Sequence, residues 1–419
     1  AIAGILIYTL QVAGQTENLP KTSAGFPINY KEDSVGNYVL PDPLITTKGK
    51  RITTAKEWLT IRRPELLHLF EFYQFGRMPP PSRMIADVFE KGTPALNGLA
   101  IRKQVTVYLT GDSMHKVDLL MYLPANKKRV PLILTVSFAS NYQLSGDSNV
   151  RIGYTWTREG KKISGGQPGR FGKMDIEQFI REGIGFATIY YGDIEPDFKT
   201  GYKEGIRGYY LGQQQTFSDE QWGAISAWSW GLSRVMDYLE TDPHVDSKRV
   251  ALQGASRLGK TALWTGAYDE RFKVIIASIS GEGGAALSRR NYGENIKHIT
   301  DTSRYYYQFA RNYHSFASKV DSLPFDAHML VALVAPRALL LQTGDSDYWS
   351  DPRGEFLSAI AAEPVYKLFN EKGPGTSIIP AAGDTSLAMN KLGYYMHKGG
   401  HTVLPEDWKL FIEFMKKYL

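Results

Sequence analysis

The stretch VALQGASRLGKTALW, Val250–Trp264, decides the fold. Val250, Ala251 and Leu252 form a short aliphatic run that leads through Gln253 into Gly254-Ala255-Ser256-Arg257-Leu258-Gly259, and Lys-Thr-Ala-Leu-Trp then continues as helix. This is strand, sharp turn, helix, with a serine at the turn and small residues on both sides of it. A serine that merely N-caps a helix is common. Flanked by a buried strand and a helix, it also matches a nucleophile elbow, in which glycines permit the strained turn and let strand and helix approach closely. The spacing is G-x-S-x-x-G, with Gly259 one residue later than in the usual G-x-S-x-G.

Outward from this unit the chain alternates. KQVTVYLT and VDLLMYLP read as antiparallel hairpin strands, and VPLILTVSF as a buried central strand. EQFIREG reads as helix, IGFATIYYGD as strand and QWGAISAWSWGLSRVMDYLET as a long helix. After the Val250–Trp264 unit come the strands FKVIIASIS and RALLLQTGD, then LGYYMHKGGH and a final helix, PEDWKLFIEFMKKYL. Strands alternating with helices predict an α/β-hydrolase fold, a three-layer α/β/α sandwich around a mostly parallel sheet. Ligands bind such sheets at the C-terminal strand ends, where Ser256 lies. The polar, Gly/Ser-rich segment 139–175 reads as a functional loop or lid, and 283–328 as a further polar stretch.

A serine hydroxyl needs a base, and this fold places an acid and then a histidine downstream. Of eight histidines, only His397 and His401 fall between the last strand and the last helix. His401 follows two glycines that make a loop able to reach the sheet edge, whereas His397 is spaced as a structural strand residue. His328, at the head of an apolar helix, reads as packing or capping. The acid should follow ALLLQT, where GDSDYWSD offers Asp345, Asp347 and Asp351. On spacing alone Asp345 and Asp347 are equal; Asp345 also suits a turn and Asp351 a helix cap. Lys260 shares a helix face with Ser256. Arg257 follows the serine, where the backbone N–H serves an oxyanion hole and a cation would face developing negative charge. Both basic residues oppose the helix dipole, a local misfit that hints at function.

The bulk numbers allow one big domain or two. The chain has 419 residues and is 43% hydrophobic, enough for a substantial core. Its 49 basic and 43 acidic residues give a dispersed +6, with no basic run of a nucleic-acid binder. Twenty-five Tyr and eight Trp suit sugar stacking as well as an aromatic core. With no cysteine there is no disulfide framework and no Cys-ligated metal site. The apolar start AIAGILIYTLQVAG reads as the tail of a signal peptide, too short to span a bilayer, so residues 1–20 are expected to be remnant and linker start. Residues 21–100 are then an N-terminal extension whose helical patch AKEWLTIRRPELLHLFEFYQFG (Leu66, Leu67, Phe70, Tyr73) packs on the main domain, and 101–419 the catalytic domain.

GASRLGK, GEGGAALSRRNYGEN, LPFDAHMLVALVAPR, DYWSDPRGEFLSA and the GGH loop before PEDW resemble the bacterial glucuronoyl esterases of carbohydrate esterase family 15. The resemblance runs from about residue 55 to the C-terminus. It implies Ser256 as nucleophile, Arg257 as oxyanion support, and Lys260, Glu294 and Trp349 as sugar contacts. It also breaks the tie between the aspartates in favour of Asp347, with His401 as base. In one respect the chain departs from the family: fungal members carry the acid just after the strand that follows the nucleophile helix, a position held here by Ile279, with Glu282 nearby.

The activity so implied is hydrolysis of esters between (4-O-methyl-)glucuronic acid of glucuronoxylan and alcohols such as those of lignin. It requires no metal or organic cofactor, no nucleic acid and no membrane, and a secreted or periplasmic monomer is expected. An acetyl-xylan esterase on the same fold is the nearest rival, because fold does not fix substrate. A prolyl-oligopeptidase-like peptidase would carry a large N-terminal gating domain, for which there is no room. A non-catalytic glycan binder would not need Ser, His and Asp together.

Overall fold

The computed structural model describes residues 18–167, 172–212 and 217–419. The apolar stretch read as a signal-peptide remnant, residues 1–17, lies outside them, as do 168–171 of the expected lid. Nine strands form one sheet: β1 (Ile85–Ala95), β2 (Ala100–Tyr108), β3 (Lys116–Pro124), β4 (Val130–Ser137), β5 (Gly185–Tyr190), β6 (Val245–Ala255), β7 (Phe272–Ser278), β8 (Ala338–Gly344) and β9 (Leu392–His397). Their spatial order is β9-β8-β7-β6-β4-β5-β3-β2-β1. From β5 to β9 every pairing is parallel. The pairs β1–β2, β2–β3 and β3–β5 are antiparallel.

Period-two burial on both faces explains why the parallel strands read as unbroken apolar runs. In β7, Ile275 and Ala277 face one core while Val274 and Ile276 face the other; in β8, Leu339 and Leu341 oppose Leu340. The first core is covered by α1 (Ala224–Thr241), α2 (Arg257–Tyr268) and α3 (Pro352–Lys367), the second by α4 (Pro405–Tyr418) through Phe411, Phe414 and Met415. The result is the expected three-layer α/β/α sandwich.

The sheet begins at Ile85, inside the segment assigned above to an N-terminal extension, so a boundary at residue 100 cuts the β1–β2 hairpin. The strand was hidden because β1 is an edge: its residues are exposed or half-buried up to Ala95 and lack the apolar alternation of a core strand. The helical patch ahead of it packs as expected. Trp58, Leu66, Phe70 and Phe75 are fully buried, and the Phe75 ring stacks on Trp264 of α2 with centroids 4.5 Å apart. Each large apolar side chain so buried contributes roughly 1.5–3 kcal/mol, which fixes α2 from behind.

The described part of segment 139–175 carries local structure: Ser140 caps a helix at Asn141–Ser145 with a reciprocal capping box, and Tyr154–Trp156 pairs with Lys162–Ser164 as a small hairpin. The polar stretch 283–328 is largely internal. Its buried charges include a pair: Arg289 donates to Asp326 at 3.1 Å and to the Phe325 carbonyl at 2.7 Å, and Asp326 accepts from Ser288 N at 2.8 Å. An N-terminal arm braces this stretch, with Gly293 N donating to Asn29 O at 2.8 Å and Glu32 paired with Arg290. His328 is fully buried and bonds the Pro41 carbonyl at 2.9 Å, a packing role.

Candidate active site

Ser256 lies between β6 and α2 at φ 58°, ψ −129°, a conformation costing on the order of 1–3 kcal/mol for a residue with a Cβ. The turn is held by Ser256 N donating to Ser278 O at 2.9 Å and by Lys260 N donating to Ser256 O at 3.0 Å. A Cβ on Gly254 would stand 2.1 Å from Leu258 O, and one on Gly259 would stand 2.5 Å from Ser278 O. The third residue after the serine is thus the one that presses on β7, which accounts for the late glycine.

The loop between β9 and α4 brings His401 to the serine, with Nε2 2.9 Å from Ser256 Oγ. Its Nδ1 lies 2.6 Å from Asp347 Oδ2 and 3.1 Å from Ser350 Oγ. Asp347 is buried while the His401 side chain is 42% exposed, so the imidazole is anchored on one side and open to water on the other. A base placed this way can take the hydroxyl proton, and an anchored carboxylate stabilises the imidazolium that forms.

The competing carboxylates are engaged elsewhere. Asp345 Oδ1 accepts from Gly399 N at 2.9 Å and so braces the His401 loop. Asp351 caps α3 through Gly354 N at 3.0 Å and pairs with Arg290 at 2.9 Å. Glu282 is buried and accepts from Ser288 Oγ at 2.7 Å and Tyr313 Oη at 3.0 Å; burial pushes its pKa up to about 8. Ile279, at the position of the fungal acid, is buried with φ 43°.

Ser256, Arg257, Lys260, Glu294, Trp349 and His401 line one cavity of about 210 Å³, together with Ile299, Arg304, Tyr305, Gln308 and Ser350. The structure therefore gathers every site residue singled out in the sequence, with Asp347 just behind His401. Lys260 is buried and donates from Nζ to Ser280 O at 2.7 Å; burial lowers its pKa, partly offset by Glu294. Glu294 accepts from Arg304 at 3.1 Å, and the Arg304 guanidinium lies 5.1 Å from the Trp349 ring centre. Tyr30 of the N-terminal arm is pushed up to about 12 by burial and by Glu294 and Asp347, which places the arm beside the site.

Arg257 pairs with Asp197, and its guanidinium also lies over the Tyr305 ring at 4.6 Å. Burial opposes its charge, but Asp197 and the neighbouring tyrosines outweigh that and its pKa is raised. Asp197 in turn accepts from Tyr307 Oη at 2.9 Å, Gln308 Nε2 at 2.8 Å and Tyr191 Oη at 3.3 Å. The sequence reading missed Asp197, Ser350, Arg304, Tyr305 and Gln308. Only Asp197 left a signal, since it follows closely on the C-terminal end of β5, where ligand sites form. Among the described residues no cluster of His, Asp and Glu is placed to hold a metal ion.

Residues 171–370 match the family model described as glucuronyl esterase, fungi. Carbohydrate esterase MZ0003, from an unknown prokaryotic organism, is 41% identical over 404 residues, 93% of this chain and 92% of its own length. The 4-O-methyl-glucuronoyl methylesterase of Phanerochaete carnosa is 27% identical over 78% of this chain and 71% of its own. Among solved structures, a glucuronoyl esterase from Solibacter usitatus superposes with a TM-score of 0.86 at 41% identity, covering 92% of this chain and 99% of that one. A promiscuous CE15 esterase from a marine bacterial metagenome gives 0.85 at 40% identity, over 94% of this chain and 100% of that one.

Proposed function

The chain belongs to the glucuronoyl esterases of carbohydrate esterase family 15 and is a carboxylic ester hydrolase, and from that premise we propose that it cleaves esters of glucuronic or 4-O-methylglucuronic acid on glucuronoxylan through Ser256, His401 and Asp347. The observation that carries this reading is the pair of contacts from His401, 2.9 Å to Ser256 and 2.6 Å to Asp347, at the wall of a cavity also lined by Lys260, Glu294 and Trp349.

In this reading Ser256 Oγ attacks the uronate carbonyl carbon as His401 Nε2 takes its proton. The resulting oxyanion meets the Arg257 backbone N–H and guanidinium; the loop after β4, whose Phe138 ring lies 6.0 Å from that guanidinium, supplies a second backbone donor. Collapse breaks the C–O bond to the alcohol, which leaves with the proton from His401. Water, activated by the same imidazole, then attacks the glucuronoyl ester on Ser256 and frees acid and serine. Lys260, Glu294 and Trp349 hold the sugar hydroxyls and ring. Every proton moved in these steps passes through His401 Nε2.

Such a substrate belongs to plant cell-wall polymer, which supports a location outside the cytoplasm. No helix among the described residues is long and apolar enough to cross a bilayer.

Initial rates on benzyl glucuronate and p-nitrophenyl acetate, with Ser256→Ala as blank, test the reading. Two charge-assisted hydrogen bonds from Lys260 and Glu294 should favour the uronate ester by about 100-fold or more in kcat/KM. Fast acetate cleavage without uronate activity would instead support the acetyl-xylan esterase alternative and remove the sugar roles of Lys260, Glu294 and Trp349. A second expectation concerns Asp197. Asp197→Asn removes the charge that orients Arg257 and should lower kcat by about 10–100-fold with KM nearly unchanged, less than loss of an oxyanion donor itself. An unchanged kcat would show that Arg257 needs no such anchor.

A further inference from the structure

At the start of the loop that carries His401 the chain holds another, buried His–carboxylate pair. His397, the last residue of β9, is buried; its Nδ1 lies 2.8 Å from Asp407 Oδ2 on α4 and its Nε2 lies 3.1 Å from the Gly400 carbonyl. Gly400 immediately precedes His401. Gln342 Nε2 also stands 3.0 Å from His397 Nδ1, but a ring nitrogen accepting from that amide would turn its lone pair toward the Asp407 carboxylate. The shorter, charge-assisted contact to Asp407 decides for Nδ1–H. With Nδ1 donating to Asp407 and Nε2 facing a carbonyl, only the doubly protonated imidazolium satisfies both sides.

We propose that His397, as an imidazolium bridging Asp407 and the Gly400 carbonyl, is the positioning residue that holds the His401 loop in register with Ser256, and that its deprotonation releases the loop. A neutral ring keeps the Asp407 bond and sets its Nε2 lone pair against the Gly400 oxygen, which pushes the loop away. The ionisable groups facing the ring are Asp407 on α4 and Asp345 in the turn after β8; Lys398, next in the chain, is exposed. Burial alone would lower the His397 pKa, but Asp407, the Gly400 carbonyl and Asp345 raise it. The contribution is therefore complete below the ordinary histidine value and is lost as pH rises through the raised one. Asp407 also accepts from Leu404 N at 2.8 Å, tying the start of α4 to the same ring.

The proposal rests on His401 being the base, and the two fail separately: turnover in His401→Ala would remove that reading, whereas a neutral His397 would remove this one. The test is the nitrogen-resolved NMR titration of His397 in the wild-type protein, set beside the pH profile of kcat. Both ring nitrogens should carry protons at pH 7, and kcat should fall on the alkaline side as His397 titrates. His397→Gln keeps an untitratable donor near the Gly400 carbonyl, so its profile should lose that alkaline fall. His397→Asn keeps only the Asp407 side and should lower kcat by about 100-fold through misplacement of His401. A singly protonated ring at pH 7, or an alkaline fall that persists in His397→Gln, overturns the proposal; the NMR arm decides even if a variant does not fold.

Discussion

Replacing Ser256 by alanine should lower kcat on a glucuronate ester by about 10⁵–10⁶-fold, the scale on which removal of a triad nucleophile acts. The serine oxygen is the atom 2.9 Å from His401 Nε2, and alanine leaves the imidazole with no hydroxyl to activate. The fold should not register the change. Alanine has the same Cβ as serine and meets the same φ of 58°, and the deleted hydroxyl bonds only the half-exposed His401. Substrate affinity should survive as well, because Lys260, Glu294 and Trp349 line the cavity independently of Ser256. The measurements are single-turnover rate, binding of the uncleaved ester and melting temperature. Activity above about 1% of wild type, with the melting temperature unchanged, would mean that another group attacks the ester.

The second large effect separates the two aspartates. Asp347→Asn should lower kcat by about 10⁴-fold, because an amide in place of the carboxylate can present N–H to His401 Nδ1 and favour the wrong tautomer. The contact concerned is 2.6 Å, and Ser350 Oγ, at 3.1 Å from the same nitrogen, carries no charge to stabilise an imidazolium. Asp345→Asn should cost less than about 10-fold. Its task is to accept from Gly399 N at 2.9 Å, and an asparagine carbonyl accepts that bond equally well, for a net loss near that of an ordinary hydrogen bond. Near-normal turnover in Asp347→Asn, or a larger loss in Asp345→Asn, would reverse the assignment. Glu282 cannot easily take over, since Ser288 and Tyr313 hold its carboxylate.

Much of this protein was legible because its signals are local. The alternation of β7 and β8, the small residues around Ser256 and the glycine pair before His401 each reflect steric or burial demands met within a few residues. They suffice for the layered fold, the elbow and the choice of His401 as the histidine that faces the serine. Where local signals were weak the reading slipped. The edge strand β1 has no buried face to impose a pattern, and the stretch 283–328 reads as polar although charges such as Arg289 and Asp326 neutralise one another inside the protein.

The tertiary structure decided what depends on partners distant in the chain. His401 meets Ser256 across 145 positions and Asp347 across 54. Asp345 and Asp347 are two residues apart and equivalent in spacing; only the fold turns one toward a backbone amide and the other toward the imidazole. Asp197 reaches Arg257 across 60 positions and Tyr307 across 110. Periodicity is a property of one element packing on one surface, so a sequence displays it directly. A hydrogen bond between side chains on different loops depends on how several elements pack at once, and no short stretch of the chain records that.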